Sequence, residues 1–500
     1  MKTRPRVRGG SPVETASAAL LAAAIVRLWL MPLGSSFWVD EMATEFVVRH
    51  GASDPSLAAA PQVPHSIYYA LPRASAALFG HNEVAYRLPS VLLMGIALLL
   101  IARLAARLIH PRAGWFAAFA CLALSGFNFQ AADARPYGLG VLVSAAAVLF
   151  LIRWLDSARW REALLFALLA AMLWRVQLIF WPFYGVFAIY AAVRLYRGET
   201  RVGWLRAGAV FTAVALALIP VAADALALLR QAHSHVITRP PSFHAFEHEL
   251  RWNLVLICGL GAWLLARLLR WAEAGKTIGA SSLALILGWW LCQPLALYAF
   301  SRITGESVFV RRYLSLMLPG VALCATAAVA RFAPYTEEAG TWRKLGALMG
   351  AGVLVLMGQW GILWPPHGAS EWRGAARAVN EMAPAGGAPV ICPSPFIEAR
   401  PPEWRPDYHL PGFLYCHLPV YPIRGGVRLF PFDASPEAEK YAASLTGGEL
   451  RASRRFVVYG GAGAVNFWRK WFARRRELEG WSFRRHEFGD VEVVEFNAPR

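Results

Sequence analysis

Apolar stretches of membrane-helix length recur along this chain from residue 16 to residue 364. A bilayer core about 30 Å thick takes ~20 residues of helix to cross. Eleven runs meet that description, near 16–33, 88–108, 113–130, 137–155, 161–175, 178–196, 203–221, 251–269, 280–300, 312–331 and 345–364. Backbone polar groups in hydrocarbon must be satisfied within their own segment, which selects helices. The sequence therefore predicts a polytopic α-helical membrane protein with about eleven transmembrane helices. Composition agrees: 57% of the 500 residues are hydrophobic and 16% charged, against roughly 45–50% and about 25% in an average soluble protein. Disorder, coiled coil and collagen are excluded by the apolar mass and the lack of heptad or glycine repeats. The runs 161–175 and 178–196 are separated only by the weak break Trp174-Arg175-Val176-Gln177. The segment 66–80 is short and amphipathic and is expected at the membrane interface.

A net charge of +18 first points to nucleic acid. Arginine supplies 45 of the 50 basic residues, and these are spread over many short loops rather than gathered in one stripe. With the spans, this excludes a nucleic-acid partner. The charges orient the chain instead. With the basic N-terminus inside, the inside segments hold 20 basic and 7 acidic residues, and the outside loops 11 and 10. That is the positive-inside pattern. It places the N-terminus in the cytoplasm and everything after the eleventh span outside. No A-x-A site follows the first apolar run, so the first helix is expected to be retained rather than cleaved.

After Trp364 the character changes. Residues 1–364 read as the membrane domain, and 365–500, with 18 basic and 15 acidic residues, as a soluble domain outside. Glu371–Met382 and Asn466–Leu478 read as helices, and Ala388–Pro393, Phe456–Gly460 and Val491–Phe496 as strands, which predicts a small α/β domain. Cys392 and Cys416 are its two cysteines. In an oxidising compartment they either pair or remain two thiols. The stretch Trp468–Arg476 is either an anionic-lipid contact or a solvated helix face.

Polar residues near membrane depth are the candidates for chemistry. The first outside loop carries Asp40 and Glu41 beside Phe37 and Trp38. A partly desolvated carboxylate is a better general base. A structural role competes with that: Asp40 as a helix N-cap and Glu41 on the helix dipole. The next outside loop carries Asp133, Arg135 and Tyr137, with Pro136 suited to a helix start and Asp133 to capping it. Arg311 and Arg312, followed by Tyr313, stand at the mouth of a later span, where two guanidiniums either clamp a phosphate or snorkel to the surface. His233 and His235 are weak zinc candidates in the polar 222–250 loop. No nucleotide-binding glycine motif is present.

Taken in order, these pieces resemble a known family. They are the Asp40-Glu41 pair, His65-Ser66-Ile67-Tyr68-Tyr69, the segment Leu78–Ser90 ending in Arg87-Leu88-Pro89-Ser90, Ala134-Arg135-Pro136-Tyr137, Arg312-Tyr313-Leu314 with Pro319, and Glu371-Trp372-Arg373-Gly374-Ala375-Ala376. Over residues 10–375 the chain is similar to the GT-C class of integral-membrane glycosyltransferases, in particular the bacterial branch similar to protein O-mannosyltransferases and the aminoarabinose transferase. It departs from that branch at Ser66, where relatives usually have proline, and at Asp133, where many have Glu. The resemblance implies the GT-C fold and a location in the bacterial cytoplasmic membrane. It implies a sugar donor linked to polyprenyl phosphate, and a glycan, lipid or protein acceptor at the outer face. Membrane lipids are the other expected partners. It implies Asp40 as the catalytic carboxylate, with Glu41, His65, Tyr69, Asp133 and Tyr137 as further site candidates. A divalent metal is compatible with it but not required by it.

The residue chemistry fits that role. A phosphate leaving group needs positive charge more than a general acid, which Arg311, Arg312 or Arg135 can supply, with Tyr313 alongside. One carboxylate suffices for a single displacement, whereas a retaining route needs a second as nucleophile, so inversion with Asp40 as base is expected. The rival reading is a transporter or flippase of an anionic or lipid-linked substrate. Transporters commonly show internal repeats, which are not evident in this sequence.

Overall fold

The computed structural model describes residues 12–499 apart from 61–62, 64–65, 231–238, 272–277, 335–339, 402–403 and 407–411. In chain order the α-helices up to residue 382 are α1 (Pro12–Ile25), α2 (Val39–His50), α3 (Ala70–Phe79), α4 (Glu83–Leu108), α5 (Gly114–Leu122), α6 (Ser125–Ala131), α7 (Tyr137–Ser157), α8 (Trp160–Val176), α9 (Tyr184–Tyr196), α10 (Trp204–Arg230), α11 (Phe243–Glu249), α12 (Trp252–Leu268), α13 (Ala280–Thr304), α14 (Leu318–Ala330), α15 (Thr341–Met357) and α16 (Trp372–Met382). Five strands follow α15: β1 (Pro389–Pro393), β2 (Gly426–Phe430), β3 (Arg455–Gly461), β4 (Ser482–Phe488) and β5 (Val491–Asn497). The architecture is polytopic α-helical with a C-terminal α/β sheet domain. The chain divides into two compact units. One gathers Arg87–Ala227 with the described parts of Met1–Pro32 and Thr238–Pro365; the other gathers the described parts of Leu33–Tyr86, Leu228–Ile237 and Pro366–Arg500.

Among the described residues, seven helices are long and apolar enough to cross a membrane: Pro12–Gly34, Glu83–Leu108, Tyr137–Ser157, Leu178–Tyr196, Trp204–Arg230, Ala280–Thr304 and Arg311–Ala330. α11 and α12, bent by 50° at their junction, make an eighth if they form one span. The other three expected spans coincide with shorter helices. α8 and α15 have 17 residues each, which at 1.5 Å per residue falls a little short of the hydrocarbon thickness. The break after Trp174 is real: Gln177 is extended, at φ −160° and ψ 130°, and separates α8 from the turn that leads into α9. The third run, 113–130, is broken at Leu124 into α5 and α6. Asn128 repairs that break. Its amide donates to the Leu122 carbonyl at 2.7 Å and accepts from the Trp29 indole at 3.0 Å. A side chain thus takes over the duty of the interrupted helix ladder.

A second device in the helical unit is Arg27, a cation within the first apolar run that is only 5% exposed. Its guanidinium donates to the carbonyls of Gly358 (2.5 Å), Gln359 (2.7 Å) and Leu363 (2.7 Å), and to that of Ile362, and it lies 5.3 Å from the Trp360 ring centre. The segment after α15 leaves these carbonyls without helical partners, and one guanidinium fork collects them. Close packing of α13 on α14 depends on Gly320, where an added Cβ would stand 2.4 Å from the Trp290 backbone nitrogen.

The second unit is built on a sheet of order β2-β1-β3-β5-β4. β1 pairs in parallel with β2 and β3, and β5 pairs antiparallel with β3 and β4. The strands at β1, β3 and β5 are those expected from the sequence; the two edge strands were not. β1 is buried throughout, while β4 is mostly exposed and reads as polar surface. The β4–β5 hairpin turns at Gly489, where φ is +66° and a Cβ would collide with the Ala369 carbonyl. α16 packs on β3, β4 and β5. The helix expected at 466–478 is observed as Ala462–Phe472 followed by a short turn at Arg476–Leu478. Cys392 and Cys416 are both free and buried, so the disulfide alternative is not realised.

Arg27→Met removes the donors and strands several carbonyls. It is expected to lower stability by on the order of 3 kcal/mol, read as a fall in the thermal midpoint of the detergent-solubilised protein. An unchanged midpoint would show that the segment after α15 holds itself.

Candidate active site

α2 begins after Trp38, whose backbone is extended at φ −93° and ψ 172°. Asp40 is thus the second residue of the helix and half-buried, and it is not the N-cap. Glu41, fully buried, takes the reciprocal half of a capping arrangement: its carboxylate accepts the Trp38 N–H at 3.3 Å. A Glu41 oxygen also lies within 4.8 Å of a ring nitrogen of His367. Of the adjacent acidic pair, Glu41 takes the capping contact at the helix start.

The loop that leads into α2 is held by a small network in the same unit. Arg373 donates from its backbone N–H to Ser36 Oγ (3.2 Å) and from its guanidinium to the Gly34 carbonyl (2.8 Å) and to Glu83 Oε1 (3.1 Å). The Tyr421 hydroxyl donates to Glu83 Oε1 (2.9 Å) and accepts the Phe37 N–H (2.8 Å). Residues 34–37 are fixed at three points, and with them the first turn that carries Asp40. The sequence alone does not single out Glu83, Arg373 or Tyr421 as site residues. Glu83 and Arg373 lie in motif segments, but their pairing over 290 positions has no local signal.

Glu45 was also missed. It lies one turn beyond Glu41, is 4% exposed, and pairs with Arg49 at 2.7 Å. Burial pushes its carboxyl above the ordinary range, and Arg49, with His81 and His50 further off, pulls it back in part. His81 Nδ1 in turn meets the Tyr86 hydroxyl at 2.7 Å. The available signal was the spacing Glu41, Glu45, Arg49 on one helix face. The turn Ile67–Tyr69, which carries the candidate Tyr69, also packs on α2. Cys416 lies near enough for both Glu45 and Asp40 to add to the upward shift that burial gives its thiol.

Next to it, His417 is fully buried among Trp372, Tyr415 and Tyr459, with ring centres 5.1, 6.3 and 5.9 Å away. Burial lowers its pKa to about 3.

In the other unit, Asp133 is fully buried and Arg135 half-buried. Pro136, at φ −66°, is the N-cap of α7 and offers no side-chain cap of its own. Tyr137, fully buried, meets Phe180 and Tyr313 with ring centres 6.3 and 6.4 Å away. Tyr313 is held through its carbonyl by Gln293 Nε2 at 2.7 Å, and the half-buried Arg312 lies 5.3 Å from its ring centre. Tyr137, Arg312 and Tyr313 are thus brought together. Arg311 is set apart. It is exposed and donates twice to Glu249 Oε1, at 3.1 and 3.2 Å, while Arg251 holds the other oxygen at 2.9 Å. Glu249, which the sequence places in the polar 222–250 loop, thus takes Arg311, while Arg312 lies against Tyr313. His65, His233 and His235 lie outside the described residues.

Residues 64–225 match the family model for dolichyl-phosphate-mannose-protein mannosyltransferases. Comparison with curated proteins gives no match. Among solved structures, the chain is similar to ArnT from Cupriavidus metallidurans in the apo state, at 12% identity and a TM-score of 0.54, covering 97% of this chain and 98% of that one. It is similar to the same protein bound to undecaprenyl phosphate at 11% identity and a TM-score of 0.53, with the same coverage. The fold is that of the GT-C glycosyltransferases, as the sequence resemblance implied.

Two outcomes are expected. Tyr421→Phe leaves the buried Phe37 N–H without its acceptor and should cost about 1–3 kcal/mol, measured as a lower thermal midpoint; no change would mean the loop before α2 is held without it. His417 ordinarily titrates near 6.5 and here near 3. The unfolded chain therefore binds its proton first, so stability is lost as pH falls from 6.5 towards 3, by up to about 1.4 kcal/mol per pH unit. His417→Phe should show a smaller acid-side loss in thermal midpoints taken across that window. An identical loss would remove His417 as its source.

Proposed function

We propose that this chain, built on the GT-C fold, is an integral-membrane glycosyltransferase that moves a sugar from a polyprenyl-phosphate donor to an acceptor at the outer face of the bacterial cytoplasmic membrane. The observation that carries the reading is the fold shared over 97% of the chain with ArnT bound to undecaprenyl phosphate, a lipid of the donor class proposed. The match of residues 64–225 to a family acting from a dolichyl-phosphate sugar points the same way. The acceptor is a hydroxyl or amine of a glycan, lipid or protein.

In this reading the acceptor oxygen or nitrogen attacks the anomeric carbon, its proton passes to the Asp40 carboxylate, and the carbon–oxygen bond to phosphate breaks. The polyprenyl phosphate leaves with the electron pair. One displacement inverts the anomeric centre. Asp40 is assigned as the base because it stands half-buried in the first turn of α2, at the place of the catalytic carboxylate that the family resemblance implies. Glu45 is committed to Arg49. The leaving phosphate gains negative charge and needs a cation rather than an acid. Arg312, half-buried beside Tyr313, and Arg135, just before Tyr137, are assigned to it. Arg311, exposed and bound to Glu249, is assigned a supporting part. Glu83, Arg373 and Tyr421 act through the loop they hold and are positioning residues. The orientation with N-terminus inside and residues 365–500 outside follows from the charge count and belongs to the proposal.

In proteoliposomes supplied with a panel of radiolabelled polyprenyl-phosphate sugars, Asp40→Asn is expected to lower transfer by ~10²–10⁴-fold, with the fold intact by circular dichroism. Arg312→Ala should weaken donor use more than Arg311→Ala. Near-normal transfer by Asp40→Asn removes it as the base, and equal effects of the two arginine variants remove the division of labour drawn from Glu249.

A further inference from the structure

At the end of the helical unit where α1 and α15 begin and α4 gives way to α5, a pocket of about 310 Å³ opens. That volume lies at the lower end of the roughly 300–1,000 Å³ usual for small-molecule sites. The proposed sugar transfer makes no use of it. Its walls are apolar, with Leu21, Leu98, Leu99 and Trp115 among them, and its charged lining is Arg112, Arg343 and Glu14. Leu21 lies seven residues beyond Glu14 on α1, or about 10 Å deeper along the helix axis. The charged groups therefore stand at the helix ends and the apolar walls run inward. Glu14 pairs with Arg343 at 2.9 Å. Among the described residues no carboxylate pairs with Arg112. The lining carries two cations and one anion, and the first residue of α5, Gly114, adds the positive end of a helix dipole.

The lining thus joins one surplus cation to a hydrocarbon slot. A free anion would use only the charged end, and a neutral lipid only the walls. An anionic amphiphile uses both. Continuity with the lipid-facing surface strengthens this: Leu92, Ile96 and Leu99 on α4 are 61%, 51% and 67% exposed. Their spacing of four and then three residues puts them on one face, and Leu99 is also a pocket wall. The three segments meeting here are ones that the charge count assigns to the cytoplasmic side, where anionic lipid and basic inter-helix pockets coincide.

We propose that this pocket binds an anionic phospholipid, its phosphate at Arg112 and Arg343 and the first part of an acyl chain between Leu21, Leu98, Leu99 and Trp115. The full-length protein, purified in detergent, is titrated with phosphatidylglycerol, with phosphatidylcholine of the same chains, and with inorganic phosphate. Occupancy is read by native mass spectrometry and stability by thermal midpoint. Phosphatidylglycerol is expected to bind and raise the midpoint well above the other two. Arg112→Gln combined with Arg343→Gln should reduce its occupancy several-fold, to the phosphatidylcholine level. Arg206→Gln, an exposed cation outside the lining, should not. Because Arg343 also holds Glu14, Arg112→Gln alone is the second variant and must lower occupancy with the fold unchanged. Equal effects of the two lipids, an equal effect of phosphate alone, full occupancy in the arginine variants, or an equal loss in Arg206→Gln each overturn the proposal.

Discussion

A carboxylate removed from water must be met by a cation or by hydrogen-bond donors, or its burial is too costly to sustain. That rule organises the residues on which the functional reading rests. Glu83 is met by Arg373 and Tyr421, Glu45 by Arg49, Glu249 by Arg251 and Arg311, and Glu41 by a backbone N–H at the start of α2. Each pairing also does something beyond neutralising charge. The Glu83 network fixes the loop that precedes Asp40. The Glu41 contact starts the helix that carries it. Glu249 separates Arg311 from Arg312.

The same logic applies to the backbone at membrane depth. Where α5 breaks before α6, Asn128 replaces the missing ladder bond, and where the chain leaves α15, Arg27 gathers four carbonyls. Neither device is visible in a hydropathy profile, which registers Arg27 only as a blemish in an apolar run. Both work because hydrocarbon offers no water to take their place.

What the sequence made legible was what depends on local period and composition. The apolar runs became helices at the expected positions, because burial in lipid demands length and hydrophobicity whatever the neighbours. The buried strands β1, β3 and β5 were readable for the same reason. β2 and β4 were not, because an edge strand buries little and its alternation is weak. At the candidate site, the residue types in the first outer loop and around Tyr313 were legible, and the motif order pointed to the fold. The assignments among neighbours were not. Asp40 was a natural N-cap by type, yet the helix starts two residues earlier and hands the capping contact to Glu41. Arg311 and Arg312 read alike until Glu249, 62 residues away, is seen to take the first. Those outcomes depend on contacts distant in sequence, which local patterns do not carry.

The central claim is a single in-line displacement with one carboxylate as base, and stereochemistry reads it most directly. The anomeric configuration of the transferred sugar, determined by NMR on product from a polyprenyl-phosphate donor of known configuration, should be opposite to that of the donor. Retention would require a second, nucleophilic carboxylate and would contradict the account.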